Sequence, residues 1–201
     1  MLKRPNWRQK TGLAVLGLFV LLIVVYAAVV RPWHAGWGAT PGEQRMALPG
    51  DSLAVNSPAM TTRAITINAS PAVVWQWLVQ IGQGRGGWYS YDWMENLFAA
   101  GMQNASAIDP ALQTIAVGDS ILFTQMGMHA TVAAIVPQRS LVLDGGWTFY
   151  LEPAGENRTR LIVRYFCKDN PLYYFTIFEP AHFLMESGMM LGIKARAEGT
   201  I

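Results

Sequence analysis

The stretch LVLDGGWTFYLEPAGENRTRLIVRYF, residues 141–166, contains short runs of strand-forming residues separated by turn residues. The predicted strands here are 141–143, 147–152 and 160–168. Between the last two, Gly155 and Asn157 predict a hairpin connection. Short connections of this kind join antiparallel strands, because parallel strands need a long crossover. The stretch therefore predicts part of an antiparallel sheet.

Three further strand patterns lie upstream of this stretch, at 61–67, 119–123 and 130–136. In the first, Arg63, Ile65 and Ile67 alternate with Ala64 and Thr66, which is the period of a strand with two different faces. The chain is therefore expected to form a sheet of six strands.

Two helices are predicted between the first and second strands. Ser70 is a good N-cap, Pro71 suits the first helical position, and the apolar residues that follow recur at helical spacing. They are Val74, Trp75, Leu78 and Ile81. A short second helix is predicted to begin near Asp92, which would cap 93–98.

A long helix is predicted to close the chain. Pro171 can start it, Pro180 should break or kink it, and 181–198 carries a broad apolar face. That face comprises Phe183, Leu184, Met185, Met189, Met190 and Ile193. Strands in series followed by a long helix predict an α+β domain with its helices on one side of an antiparallel sheet.

The N-terminal segment predicts a single transmembrane helix at 12–30, where every residue except Tyr26 is apolar or glycine. Its length of about 28 Å matches a hydrocarbon core of roughly 30 Å. Positive charges in the tail 1–11 favour a cytoplasmic N-terminus and an extracytoplasmic domain at the cell membrane. A cleaved signal peptide is the alternative, although the apolar run is long for one. Residues 31–60 are interpreted as a linker, with Trp33 and Trp37 at the outer membrane interface.

Charge and cysteine content exclude several classes of function. The formal net charge is +2, and the four positive residues of the tail account for it, so the rest of the chain is slightly acidic. Such a domain has no basic excess for nucleic acid. Cys167 is the one cysteine, which excludes an intrachain disulfide, and it is expected to be buried at the end of the last strand.

The segments TTRAITINASPAVVWQWLVQIGQGRGGWYSYDWMENL (61–97) and FEPAHFLMESGMMLGIKARAE (178–198), with the strands between them, resemble the SRPBCC superfamily. This superfamily is also called START-like or polyketide cyclase/dehydrase-like, and the likeness is to a membrane-linked subgroup. It covers residues 61–198. It implies a helix-grip fold, in which a curved antiparallel sheet surrounds a long C-terminal helix and encloses a cavity for lipid-like or polyketide-like molecules.

The resemblance implies three possible functions, since one fold serves many activities. The first is a membrane-anchored binding domain for an apolar or amphipathic small molecule. The alternatives are a cyclase-like or dehydrase-like enzyme and an envelope interaction module with a filled core. No catalytic residues and no cofactor are predicted.

The candidate ligand-binding residues come from two places. A glycine-rich loop at 82–87 carries an arginine and is followed by aromatic residues, while the long helix supplies methionines that reshape around ligands. The candidates are Arg85, Trp88, Tyr89, Tyr91, Met185 and Met189. Arg85 is expected near the mouth of the cavity, where it would bind an acidic head group. Alternatively, the loop ends a helix and Arg85 pairs with Asp92 or Glu95.

The remaining polar residues give weaker signals. Glu179, His182 and Glu186 share one side of a helix, but they are interpreted as a terminal Glu, a packed His and a solvated Glu rather than as a metal site. The chain has no Gly-x-Ser-x-Gly sequence, so triad chemistry is not expected. His129 opens a strand and could point into the cavity, where with Asp92 or Tyr89 it would be a candidate for acid–base work. The alternative, which is favoured, is a surface or core role for His129.

Overall fold

A computed structural model describes residues 7–97, 99–167 and 173–201 of the chain, which divides into two compact units at Ala35 and Gly36. In the first unit, helix α1 spans Trp7–Val25, a π-helical turn spans Tyr26–Val30 and α2 spans Arg31–Ala35. Within the helical stretch Lys10–Ala35, a window of 18 residues has a mean hydropathy of 3.1. The stretch is long and apolar enough to cross a membrane, two conditions that a signal sequence also meets.

The second unit contains a six-stranded antiparallel sheet in the order β1-β6-β5-β4-β3-β2. Its strands are β1 (Met60–Ile67), β2 (Ser120–Leu122), β3 (His129–Val136), β4 (Ser140–Leu143), β5 (Thr148–Pro153) and β6 (Thr159–Phe166). All six predicted strands are present. The last one ends at Phe166, earlier than predicted, and buried Cys167 follows it with its amide bonded to the carbonyl of Ala59.

The predicted hairpin joins β5 and β6. Pro153 pairs with Thr159 where the two strands meet the turn. Gly155 and Asn157 both have positive φ, at 106° and 50°, which is the left-handed region that these residue types favour in turns. The antiparallel arrangement of these two strands is therefore encoded locally.

The helices of the second unit are α3 (Pro41–Arg45), α4 (Pro71–Val79), α5 (Asp92–Leu97) and α6 (Glu179–Ala197). The hydroxyl of Ser70 accepts from the amide of Val73 at 3.5 Å, and Pro71 lies in the first turn of α4, as predicted. Helix α4 ends before Ile81, which is nevertheless fully buried.

The C-terminal helical segment changes helix type along its length. The predicted start at Pro171 lies outside the described residues. A π-helical turn at Tyr174–Phe178 leads into α6, and Pro180 lies in the first turn of that helix. Proline is tolerated there because the first amides of a helix have no intrahelical acceptor. Pro180 thus marks a change in helix type rather than a break.

One face of the sheet packs against α4 and α6 and forms the main hydrophobic core. Alternate residues of β1 contribute to this face, among them Ile65 and Ile67, and Leu161 and Val163 of β6 lie beside them. From the helices, Leu78 and Ile193 are fully buried. This face positions α6 over the sheet.

The other face of the sheet is covered by the segment that precedes β1. Leu48 packs against Ala64 and Ile162 in a second apolar cluster. Two arginines of β6 bind this segment: Arg160 pairs with Glu43 at 2.6 Å, and Arg164 pairs with Asp51 at 2.8 Å. Arg164 also donates to the carbonyls of residues 43, 44 and 46.

The interpretation of residues 31–60 as a linker is therefore wrong from Gly36 onward, since that part belongs to the second unit. The amide of Ala64 donates to the carbonyl of Trp37 at 3.0 Å. The Trp37 ring packs edge-on against Phe183 at 6.2 Å, so it packs against the main hydrophobic core of the domain. The sequence does not reveal this because a covering segment without periodicity resembles a linker.

Candidate ligand cavity

A cavity of about 730 Å³ lies in the second unit, between the inner face of the sheet and the helices α5 and α6. Its aromatic lining residues are Trp88, Phe123, Trp147, Tyr165 and Phe178. Its methionines are Met94, Met128, Met185 and Met189. Its ionisable groups other than tyrosine are Glu95, His129, Asp144, His182 and Glu186. The walls are thus mainly apolar, with a few charged positions.

The aromatic residues form a continuous wall centred on Trp147. The rings of Trp88 and Trp147 are stacked, with centroids 5.3 Å apart and planes within 8°. Phe123 lies 5.4 Å from Trp88, and Tyr165 meets Trp147 edge-on at 5.8 Å. Such packing fixes the orientation of each ring. The wall therefore offers preformed aromatic surface to a ligand.

A buried ion pair contributes one of its members, Glu186, to the cavity lining. Glu186 of α6 accepts from Arg63 of β1 at 2.5 Å and from the indole nitrogen of Trp147 at 3.0 Å. Both charged side chains are completely buried. The guanidinium of Arg63 also lies 5.1 Å from the centre of the Phe183 ring. The interpretation of Glu186 as a solvated residue is wrong, because Arg63 and Trp147 together satisfy its carboxylate inside the core.

His182 lies next to this pair. Its ring stacks on Phe178 at 5.3 Å, and its Nε2 is 3.7 Å from Glu186 Oε1. Burial, reinforced by the charge of Arg63 and opposed by that of Glu186, lowers the pKa of His182 to about 4. His182 is therefore neutral at physiological pH, and its interpretation as a packed histidine is confirmed.

The described residues contain no group of three His, Cys, Asp or Glu side chains arranged to hold a metal ion. Although Glu179 and Glu186 are both buried, Glu186 is already bonded to Arg63 and Trp147. The spacing of Glu179, His182 and Glu186 along one side of α6 therefore reflects core packing.

Glu95 of α5 is the most unusual polar group of the cavity. It is only 9% exposed, and its Oε2 has no hydrogen-bond partner among the described residues. Burial, together with the charge of Asp92, raises the pKa of Glu95 to about 7. A carboxyl group with this pKa exists in both protonation states near neutral pH, so it can donate or accept a hydrogen bond inside the cavity.

His129 lines the cavity at the start of β3, and its side chain is exposed. Its Nδ1 lies 2.9 Å from the carbonyl oxygen of Gly127. A carbonyl oxygen can only accept, so the bond requires the proton on Nδ1. In the neutral ring this leaves Nε2 as an acceptor.

Three of the six predicted ligand-binding residues line the cavity, namely Trp88, Met185 and Met189. The structure does not bring Tyr89 and Tyr91 to the lining. The hydroxyl of Tyr89 donates to the carbonyl of Trp77 at 3.2 Å, and its ring faces the guanidinium of Arg196. Both tyrosines pack closely against glycines of α6. A side chain at Gly188 would clash with Tyr91, and one at Gly192 would clash with Tyr89.

Arg85 does not line the cavity, which corrects its predicted position at the mouth. Its guanidinium donates to the carbonyls of Val79 and Leu112 at 2.9 and 3.0 Å. Val79 is the last residue of α4, so Arg85 satisfies a carbonyl that the end of the helix leaves without a partner. The interpretation of the loop as a helix C-terminal turn fits this geometry, although Arg85 bonds to backbone oxygens rather than to Asp92 or Glu95.

Sequence reasoning missed Trp147, Tyr165 and Glu95 as lining residues and Arg63 as the partner of Glu186. The sequence contained one indication of the buried ion pair. Arg63 occupies the apolar face of the alternating pattern in β1. A charged residue at a core position is rarely left without a partner. The pattern could therefore have predicted a buried carboxylate opposite this strand.

Comparison with known proteins gives structural neighbours of low similarity. No protein-family model matches the chain, and no curated protein matches it. The solved Aha1 dimer from Colwellia psychrerythraea is 20% identical, with 70% of this chain and 96% of that chain covered and a TM-score of 0.44. Protein MLL2253 from Mesorhizobium loti is 16% identical, with 71% and 99% covered and a TM-score of 0.45. CalC, a self-sacrificing resistance protein from Micromonospora echinospora, is 11% identical, with 70% and 92% covered and a TM-score of 0.39.

Proposed function

We propose that the second unit binds an apolar or amphipathic small molecule in the cavity between its sheet and α6. The observation that carries this proposal is the cavity itself, whose volume of about 730 Å³ falls among those of small-molecule sites. Aromatic rings supply rigid walls, and methionines supply surface that adapts to a ligand. The few polar groups would orient the bound molecule.

The architecture supports membership of the SRPBCC superfamily, which we propose on the fold and on the resembling segments. A six-stranded antiparallel sheet packs against a long C-terminal helix, as the helix-grip fold requires. Membership makes a lipid-like or polyketide-like ligand the leading class. An interaction module with a filled core is disfavoured by the size of the cavity.

A cyclase-like or dehydrase-like enzyme is the second candidate, and Glu95 is the observation that favours it. A carboxyl group whose pKa lies near 7 in an apolar site is suited to general acid–base catalysis. His129 lines the same cavity and supplies a second group for proton transfer. Conversion of a bound molecule, abolished by Glu95→Gln, would distinguish the enzyme from a carrier.

Filling the cavity tests the binding function. We expect Ala181→Trp to remove a ligand that co-purifies with the full chain, because Ala181 lines the cavity and an indole there occupies part of its volume. Native mass spectrometry of the detergent-solubilised protein, followed by solvent extraction, measures the bound mass. Ala111→Trp is the matched control, since Ala111 is exposed and lies outside the lining.

Two results would contradict the binding function. If neither the unmodified chain nor the control retains any extractable molecule or binds an added apolar probe, the cavity is not a binding site. If Ala181→Trp retains the same ligand in the same amount, the ligand binds elsewhere.

We further propose that the N-terminal helix anchors the protein in the cell membrane, with the N-terminus in the cytoplasm and the second unit outside. The length and hydropathy of Lys10–Ala35 support an anchor, and the positive residues of the tail support this orientation. The membrane would then be a binding partner of the protein through this helix.

Reporter fusions test the orientation. Alkaline phosphatase fused after Ile201 is expected to be active, and a fluorescent protein that matures only in the cytoplasm is expected to stay dark. Replacing Lys3, Arg4, Arg8 and Lys10 with alanine should reduce the phosphatase signal, because it removes the charge asymmetry. A fluorescent, phosphatase-silent fusion of the unmodified chain would reverse the assignment.

A further inference from the structure

We propose that the polar end of the ligand is cationic, an amine or ammonium group held between Glu95 and the aromatic wall of the cavity. This inference rests on the proposed binding function and specifies its ligand class. It departs from the expectation of an acidic head group, which depended on Arg85.

Glu95 is a buried carboxyl group whose hydrogen bonds are incomplete. It lies in the cavity wall, and its Oε2 has no hydrogen-bond partner among the described residues. A buried polar atom without a partner destabilises the folded state. A ligand that donates a charged hydrogen bond to this carboxyl group from the cavity would stabilise its ionised form, and charge-assisted bonds are the stronger kind.

The charged side chains that line the cavity are mainly acidic. They are Glu95, Asp144 and Glu186; the amide of Thr131 donates to Asp144, and Arg63 neutralises Glu186. Of the residues that the structure describes, no lysine or arginine lines the cavity. His182 is neutral at physiological pH because its pKa is lowered. An anionic head group beside Glu95 would therefore meet a carboxylate, whereas a cation would meet opposite charge.

The aromatic wall also favours a cationic group. A cation is attracted to the face of an aromatic ring, most strongly to that of tryptophan, and the attraction grows when water is excluded. Trp88, Phe123 and Trp147 are packed together in the same lining as Glu95. The arrangement combines a carboxylate with aromatic surface, as expected of a site for an organic cation.

Arg85 is not placed to bind an acidic head group in the cavity. Arg85 would have bound an acid, but two of its hydrogen bonds go to the carbonyls of Val79 and Leu112. Moving it to the cavity would leave the end of α4 without this bond and would require breaking both contacts. The structure thus leaves Glu95, rather than Arg85, to select the charge of the ligand.

Binding of a cation should depend on pH through Glu95. The pKa of its carboxyl is about 7, so ionisation is completed above neutrality, and a bound cation favours the ionised form. Other titratable groups act on the same site: Asp92 on the same helix, His129 from β3, Asp144 after β4, and His182 with Glu186 from α6. Comparison with Glu95→Gln isolates the contribution of Glu95.

The test uses three probes that share an apolar phenylalkyl body and differ in their polar end group. They are 4-phenylbutylamine, 4-phenylbutanol and 4-phenylbutyrate. Each is titrated into the full chain held in a zwitterionic lipid nanodisc, with empty nanodiscs as the reference, and tryptophan fluorescence and calorimetry report binding. At pH 8 we expect the amine to bind at least tenfold more tightly than the acid. Its affinity should fall several-fold between pH 8 and pH 6, while that of the alcohol should not change.

Three variants test whether the preference for the amine depends on Glu95. Glu95→Gln should bring the amine to the affinity of the alcohol, and Glu95→Asp should retain part of the preference. Glu156→Gln, an exposed carboxyl in the β5–β6 hairpin, should leave it unchanged. Circular dichroism confirms that each variant is folded.

The outcomes separate the two proposals. Equal affinity for amine and alcohol, tighter binding of the acid, or an amine preference that survives Glu95→Gln overturns the cationic ligand but leaves the cavity as a binding site. If none of the probes binds, or if Ala181→Trp binds them all unchanged, the proposed function fails together with this inference.

Discussion

Replacing Glu186 with alanine is expected to lower the free energy of unfolding by about 3–5 kcal/mol, the usual cost of breaking a buried ion pair. This substitution removes the carboxylate. It would leave the guanidinium of Arg63 buried without its partner and the indole of Trp147 without its acceptor. Thermal unfolding of the full chain, followed by near-ultraviolet circular dichroism, measures the effect. Lys194→Ala is the matched control, because Lys194 and Glu198 form a more exposed pair on the same helix. We expect that change to cost less than about 1 kcal/mol.

A double variant tests whether the unpaired charge causes the loss. In Arg63→Met with Glu186→Gln, both charges are absent, while the amide oxygen of glutamine can still accept from Trp147. We expect this variant to recover most of the stability lost in Glu186→Ala, since a neutral pair avoids the desolvation of two ions. A double variant as unstable as the sum of its single changes would show that the packing of these side chains, not their charge, is decisive.

Glu95→Gln is expected to stabilise the protein at pH 8 by up to about 3 kcal/mol and to have little effect at pH 4. In the folded protein the pKa of Glu95 is raised from 4.5 to about 7, so the folded state binds this proton more tightly than the unfolded state does. The resulting stability is fully present below pH 4.5 and is lost as the pH rises through 7. Glutamine remains neutral and avoids this loss.

The measurement is the difference in unfolding free energy between Glu95→Gln and the unmodified chain at several pH values from 4 to 8. Glu156→Gln serves as the control, because its carboxyl is exposed and should show no comparable trend. A difference that stays constant across this range would contradict the raised pKa of Glu95. Such a result would also remove the basis for pH-dependent binding of a cation.

The α+β class, the six strands and the apolar N-terminal helix can all be predicted from the amino-acid pattern. These features depend on interactions between residues close together in the chain. Ser70 and Pro71 begin α4, Gly155 and Asn157 form the β5–β6 turn, and alternation identifies the two faces of β1. Local signals of this kind can be interpreted from the sequence because they do not depend on residues far away in the chain.

The three-dimensional arrangement of the chain was needed to show which residues line the candidate site and which support it. Arg63 and Glu186 are 123 positions apart, and Arg85 reaches a carbonyl 27 positions away. The covering segment before β1 shows the same dependence, since Glu43 and Asp51 bind arginines of β6 more than 110 positions later. The role of Glu95 follows from burial in a cavity whose walls come from several separate elements. Long-range pairing and desolvation set the charges of the ionisable groups in this site. Neither effect can be inferred from the local sequence pattern.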